Sequence, residues 1–305
     1  MILVRLIPLN KPYYYNHLIK DASLLSIAYP DFIQVETIGR TVSNRSIIML
    51  KVGKGKRGIL LSAGVHGRES INSVALMRML EEYAHIYTNP TDGEVMRRRW
   101  NINLQEFFEE FTLYTIPLVN PDGYMIALQG FHIIHNEEER TIAQSLNIPY
   151  QEWKNNQCSI DINRNFPSST WKSKFDGDAP GSELETKALM KIMKEVKTEA
   201  YIDYHSRGNE IYYYRSQMSK EYNNRQLTLA KTLSLVTGYK LVQPEREIEV
   251  GDTGGNTVHY YSEQTKMPSF TIETVPEEEH FPLSLQFQRT VYCQLLYTPF
   301  VVVTL

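Results

Sequence analysis

Apolar and polar residues alternate along this chain in short blocks of two kinds. Runs rich in β-branched and aromatic residues at 47–52, 59–63, 113–119, 201–204, 211–214 and 270–272 read as short buried strands. Between them, residues 71–84 carry apolar side chains at helical spacing, as do 226–236 and 285–296. Ser182, Glu183, Leu184 and Glu185 have the pattern of a capping box that opens a further helix. Strands interleaved with helices predict an α/β fold with a mixed, mostly parallel twisted sheet covered by helices on both faces. In such sheets ligand sites lie beyond the carboxyl ends of the strands.

No repeat, low-complexity tract or Gly/Ser linker interrupts the pattern, so residues 1–305 are expected to form a single domain. The stretch 125–157 is the least regular, and its run Glu137, Glu138, Glu139 reads as solvated surface.

Composition narrows the class. With 42% hydrophobic and 22% charged residues the chain has material for a sizeable core. A formal charge of -3 with both signs interspersed gives no basic stripe, which argues against nucleic acid or an anionic membrane as partner and for a small or peptidic one. Cys158 and Cys293 are far apart and form no CxxC pair, so no disulfide framework is expected. The first ten residues are interrupted by Arg5 and Pro8, and no apolar run of about 18 residues occurs. A soluble, cytoplasmic protein is the expectation; the oligomeric state is left open.

Candidate chemistry gathers at predicted strand ends. His66 follows the strand at 59–63, and Glu69 comes three residues later at the start of a helix, so one turn brings the two side chains together. A catalytic zinc ion takes three protein ligands and leaves a position for water. His205, directly after the strand at 201–204, is the best candidate for the third. Alone, an HxxE pattern is more often a hydrogen-bonded structural pair than a ligand pair.

The flanking motifs change that balance. Gly64-Val65-His66-Gly67-Arg68-Glu69, Asn120-Pro121-Asp122-Gly123, Asp161-Ile162-Asn163-Arg164-Asn165-Phe166, Tyr204-His205-Ser206 and Phe270-Thr271-Ile272-Glu273 occur in this order. Together they resemble the zinc carboxypeptidase family, from near Tyr13, through Tyr29-Pro30 and Ile38-Gly39-Arg40, to the last helix. The resemblance implies one Zn2+ per chain on His66, Glu69 and His205, with Glu273 as general base. It implies that Asp161 orients the first histidine, that Asn163 and Arg164 grip a substrate carboxylate, and that Arg68 holds a neighbouring substrate group. The chemistry suits those roles: a zinc-activated water needs a carboxylate to take its proton, and a planar guanidinium matches a carboxylate.

Two positions depart from the family pattern. Trp153-Lys154-Asn155-Asn156-Gln157-Cys158-Ser159 places Cys158 where an oxyanion-stabilising arginine is expected, leaving Arg140 and Lys154 as the nearby cations. Val250 stands where a mobile tyrosine is expected, four residues before Gly254, with Tyr260 and Tyr261 further on.

Other details are similar to bacterial γ-D-glutamyl-L-diamino acid peptidases: His205-Ser206-Arg207-Gly208 followed by Ile211-Tyr212-Tyr213, Pro167 after the Asn163 motif, and Gly254-Gly255-Asn256. That resemblance implies a peptide or muropeptide substrate cut between D-glutamate and a diamino acid such as diaminopimelate or lysine. The acidic residues Glu245, Glu247, Glu249 and Asp252 are candidates to accept the second amino group. A carboxypeptidase for ordinary L-amino-acid ends and a catalytically weak zinc-holding binding protein are the alternatives.

Overall fold

The β-branched runs become the middle of one eight-stranded sheet in the computed structural model, which describes residues 5–174, 177–248 and 252–303. The strands are β1 Ile33–Arg40, β2 Ser46–Gly53, β3 Arg57–Ala63, β4 Phe111–Ile116, β5 Ala200–Ser206, β6 Glu210–Tyr212, β7 Lys240–Leu241 and β8 Ser269–Thr274. Their order is β1-β2-β4-β3-β5-β8-β6-β7. The central run β4-β3-β5-β8 is parallel, while β1, β2 and β6 pair antiparallel with their neighbours towards the centre.

Successive strand residues point to opposite faces, so the sheet has a core on each side. Ile59, Leu61, Ala63, Ile202 and Tyr204 pack with the helices Ser70–Thr88 and Phe287–Leu295 on one face. Leu60, Tyr201 and Met49 pack with Leu184–Glu195 and Thr257–Thr265 on the other. Burial on both faces explains why β3 and β5 read as near-continuous apolar runs.

The structure amends several boundaries. β1 carries no apolar run because it is an edge strand with most of its residues exposed, and its pattern escaped the sequence reading. β4 ends at Ile116, and the chain beyond it turns to bond Ala63 and Gly64 through the backbone N–H groups of Val119 and Asn120. The capping box at Ser182 does not form: Glu183 is the N-cap, without a side-chain cap. Ser182 instead donates to Glu183 and accepts from Asn165, whose competing bonds hold the loop. Within 125–157, Glu137, Glu138 and Glu139 open the helix Glu137–Ser145, capped by Asn136, where negative charge suits the helix start. Glu137 and Glu138 are exposed, whereas Glu139 accepts from Gln157. Among the described residues no helix is long and apolar enough to cross a membrane.

Candidate active site

His66 lies on the loop that follows β3, and packing fixes that loop. A side chain at Gly67 would place its Cβ 2.3 Å from the backbone of Gly123, so only glycine permits this approach. The Asn120 amide donates to the carbonyls of Val65 and Asn155, while its Oδ1 accepts from Gly123 N. The Asn120–Gly123 motif therefore acts by holding the loop that carries His66.

Glu69 is the N-cap of Ser70–Thr88, and its buried carboxylate accepts from Ser206 N at 3.0 Å. His205 sits within β5, paired across the sheet with Glu273 of β8. The result brings three potential donor groups together. His66 Nδ1 is 2.7 Å from Glu69 Oε1, His205 Nδ1 is 3.1 Å from Glu69 Oε2, and the ligand atoms of the three residues all lie within 4.8 Å of one another.

Each histidine is anchored through its other nitrogen. His66 Nε2 lies 3.2 Å from Asp161 Oδ1, which also accepts from Asn163 N. His205 Nε2 lies 2.9 Å from Asp203 Oδ2, and Asp203 is itself held by the hydroxyls of Ser62 and Thr257. Such carboxylate partners fix the ring and leave Nδ1 for a metal. The sequence reading gave Asp161 this role and missed Asp203. The signal was present, since residues two apart on a strand share a face and Asp203-Tyr204-His205 has that spacing.

Electrostatics favour a cation here. Burial opposes charge on His66, but Glu69 and Asp161 outweigh it and hold its pKa above the usual value. Burial likewise opposes charge on His205, which Asp203 and Glu69 push well up. Burial would raise Glu69, yet the two histidines bring it below the ordinary carboxylate range. Two imidazoles and a carboxylate with buried anionic support fit the nitrogen and oxygen preferences of zinc.

Glu273 stands beside this group. Burial pushes its carboxyl up to about 8, with Glu69 adding and the histidines opposing, and its Oε2 has no hydrogen-bond partner. Its partner in the β5–β8 register is His205, so it lies at the same sheet edge as the donor group.

The group opens into a cleft of about 380 Å³ whose lining includes Arg68, Lys154, Asn163, Arg164, Arg207 and Glu273. Asn163 Oδ1 accepts from Thr257 N. Arg164 forms a forked pair with Asp252, Nε to Oδ1 at 2.8 Å and Nη2 to Oδ2 at 2.9 Å. Arg68 lies over the Phe281 ring at 4.4 Å, donates to Glu152 O, and has a buried Nε without a partner.

The departures from the family pattern resolve in part. Lys154 lines the cleft with its Nζ 2.6 Å from Asp161, whereas Arg140 bonds the Ile134 carbonyl and does not line it. Arg207 is a cleft cation that the sequence reading did not weigh. Burial pushes the Cys158 thiol up to about 12, with Glu183 and other carboxylates adding, which is the wrong direction for a nucleophile. Val250 and Glu249 lie outside the described residues. Tyr261 is buried against Tyr201 and Thr198, Tyr260 packs on Phe166, and neither lines the cleft. Of the acidic segment, Glu247 and Asp252 line the cleft. Glu245 is exposed and not among the lining residues.

Comparison with known proteins places this geometry. Residues 19–292 match the zinc carboxypeptidase family, and the chain belongs to it. It is a metallopeptidase with zinc as the family's metal, and peptides are its substrate class. It is 24% identical over 305 residues to γ-D-glutamyl-L-diamino acid endopeptidase 1 of Lysinibacillus sphaericus, covering 96% of this chain and 72% of that protein. It is also 24% identical over 257 residues to rat carboxypeptidase B, covering 80% of this chain and 58% of that one. The fold is similar to that of bovine thrombin-activatable fibrinolysis inhibitor, with a TM-score of 0.75, 19% identity and 96% of each chain covered. Murein-tripeptide amidase MpaA from Escherichia coli O157 aligns with a TM-score of 0.50 at 18% identity, covering 86% of this chain and 91% of that one.

Proposed function

We propose that this chain acts as one catalytic domain that cleaves the γ-D-glutamyl-diamino acid bond of peptidoglycan stem peptides, as a soluble enzyme acting in the cytoplasm. The carrying observation is the charge of the cleft beyond the His66, Glu69 and His205 group. Arg164, Arg207, Arg215, Glu247 and Asp252 line it, a poor receptacle for an apolar side chain and a suitable one for a diamino acid with free ionic groups. The relation to the Lysinibacillus sphaericus endopeptidase supports the same reading.

His66, Glu69 and His205 would hold the zinc. When bound, the ion lowers the pKa of water and polarises a carbonyl. Asp161 and Asp203 orient the two imidazoles. Glu273 takes a proton from the attacking water and delivers it to the leaving amine. Asn163 and Arg164 hold the carboxylate of the diamino acid, Arg164 pre-oriented by Asp252 and with N–H donors to spare. Arg68 holds an adjacent group, and Lys154, paired with Asp161 in the cleft lining, is a cation for developing negative charge.

Digestion of purified muropeptides and of ordinary peptides by the zinc-loaded protein, read by mass spectrometry, tests the proposal. Release of the diamino acid, or of a peptide beginning with it, supports it. Removal of ordinary L-amino acids alone would give the carboxypeptidase reading instead, and zinc binding without any cleavage would leave a binding protein.

A further inference from the structure

In the wall of the same cleft stands an arginine that makes no ion pair among the described residues. Arg215 is 2% exposed and lines the cleft. Its guanidinium donates to the Tyr214 carbonyl at 2.6 Å and to Ser269 O and Oγ at 2.9 and 3.3 Å, all neutral acceptors. Its Nε is buried without a partner. Among the described residues no carboxylate lies within ion-pair distance of it.

The surroundings are built to keep it there. Arg215 N donates to Asn223 Oδ1, and the Asn223 amide donates back to Arg215 O. Gln226 fixes the same Ser269 carbonyl from the helix Lys220–Thr237. A buried guanidinium with no carboxylate in ion-pair contact is costly, with Glu247 offsetting only part of that cost from further off, and an arginine cannot shed its proton to relieve it. A site that tolerates such a group is arranged for an anion from outside.

Glu247 supplies the opposite sign on the same lining. Its carboxylate is 3.0 Å from His259 Nε2 and accepts from Ser216 N. Ser269, which Arg215 bonds, precedes Glu273 by four residues along β8, so the group that meets Arg215 is not the bond being cut.

We propose that Arg215 and Glu247 together receive a leaving-side residue whose long side chain ends in both a carboxylate and an ammonium. Diaminopimelate has that chemistry, whereas lysine offers the ammonium alone. The inference rests on the γ-D-glutamyl-diamino acid reading above and names which diamino acid the site takes.

Three stem tripeptides decide it: L-Ala-γ-D-Glu ending in meso-diaminopimelate, in diaminopimelate amidated on its side-chain carboxylate, or in L-lysine. The zinc-loaded protein should cleave the first with kcat/KM roughly 100-fold or more above the other two, since a site that hydrogen-bonds a polar group rejects analogues lacking it. Arg215→Gln should collapse that preference to within about threefold, through loss on the free diaminopimelate substrate. Equal cleavage of all three by the unaltered protein, or preference for lysine, would overturn the inference and leave the bond assignment standing. Cleavage of none would remove both. If Arg215→Gln fails to fold, the comparison on the unaltered protein decides alone; a folded variant that keeps the full preference overturns the role of Arg215.

Discussion

The proposed zinc ligands His66 and His205 are each held by a carboxylate behind the ring, Asp161 and Asp203. His66→Ala or His205→Ala should abolish tight zinc binding, because two remaining ligands hold the ion poorly. Asp203→Asn tests the less obvious half of the arrangement. It keeps the shape but removes the charge behind His205 Nε2, so zinc affinity should fall about 10- to 100-fold while the fold persists. Competition with a chromophoric chelator measures both effects, and full affinity in any of these variants would displace the residue from its role. Glu273→Gln should bind zinc and substrate but lose turnover by about 100- to 10,000-fold, with kcat falling more than KM changes. Loss of zinc from that variant would move Glu273 into the ligand set.

At the scale of elements, the first turn of Leu184–Glu195 buries a carboxyl group. Burial pushes Glu185 from the ordinary 4.5 of a glutamate up to about 7, opposed by its hydrogen bonds with backbone and Asn156. The native state therefore binds the proton more tightly than the unfolded chain. Stability from this group is fully present below pH 4.5 and is lost as pH rises towards 7, by up to about 3 kcal/mol. Glu185→Gln removes that dependence. Thermal melts should show the variant gaining several degrees over the parent at pH 8 and little or nothing at pH 4.5. An equal difference at both pH values would contradict the assignment.

Across the whole molecule, the two ends of the described chain are tied together. Gln288, buried in Phe287–Leu295, accepts from Asn10 N and Lys11 N and donates to Lys11 O. Glu81 of Ser70–Thr88 accepts from Leu6 N and Ile7 N, so the amino-terminal segment is fastened at two places to helices far along the chain. Gln288→Ala should cost about 2 kcal/mol and lower Tm by roughly 3 °C. Limited proteolysis should then cut within residues 5–12 sooner than in the parent, and unchanged cleavage there would show that Glu81 suffices.

Local pattern carried much of this protein into the sequence. The apolar runs of β3 and β5 were legible because both their faces are buried, and the gathering of His66, Glu69, His205 and Glu273 was legible because ligand sites in such sheets lie beyond the strand ends. The resemblance of the motifs supplied the family. What spacing could not reach was partnership between distant segments. Asp252 with Arg164, Asp203 with Thr257, and Gln288 with Asn10 are separated by 88, 54 and 278 residues, and no local periodicity encodes such pairs. The edge strand β1 was missed for the opposite reason, since an exposed strand has no apolar face to announce it. Arg215 shows the limit most plainly. In sequence it is one arginine among several, and only the tertiary structure buries it in the cleft wall, where loss of water makes a charge without an ion-pair partner costly and therefore informative.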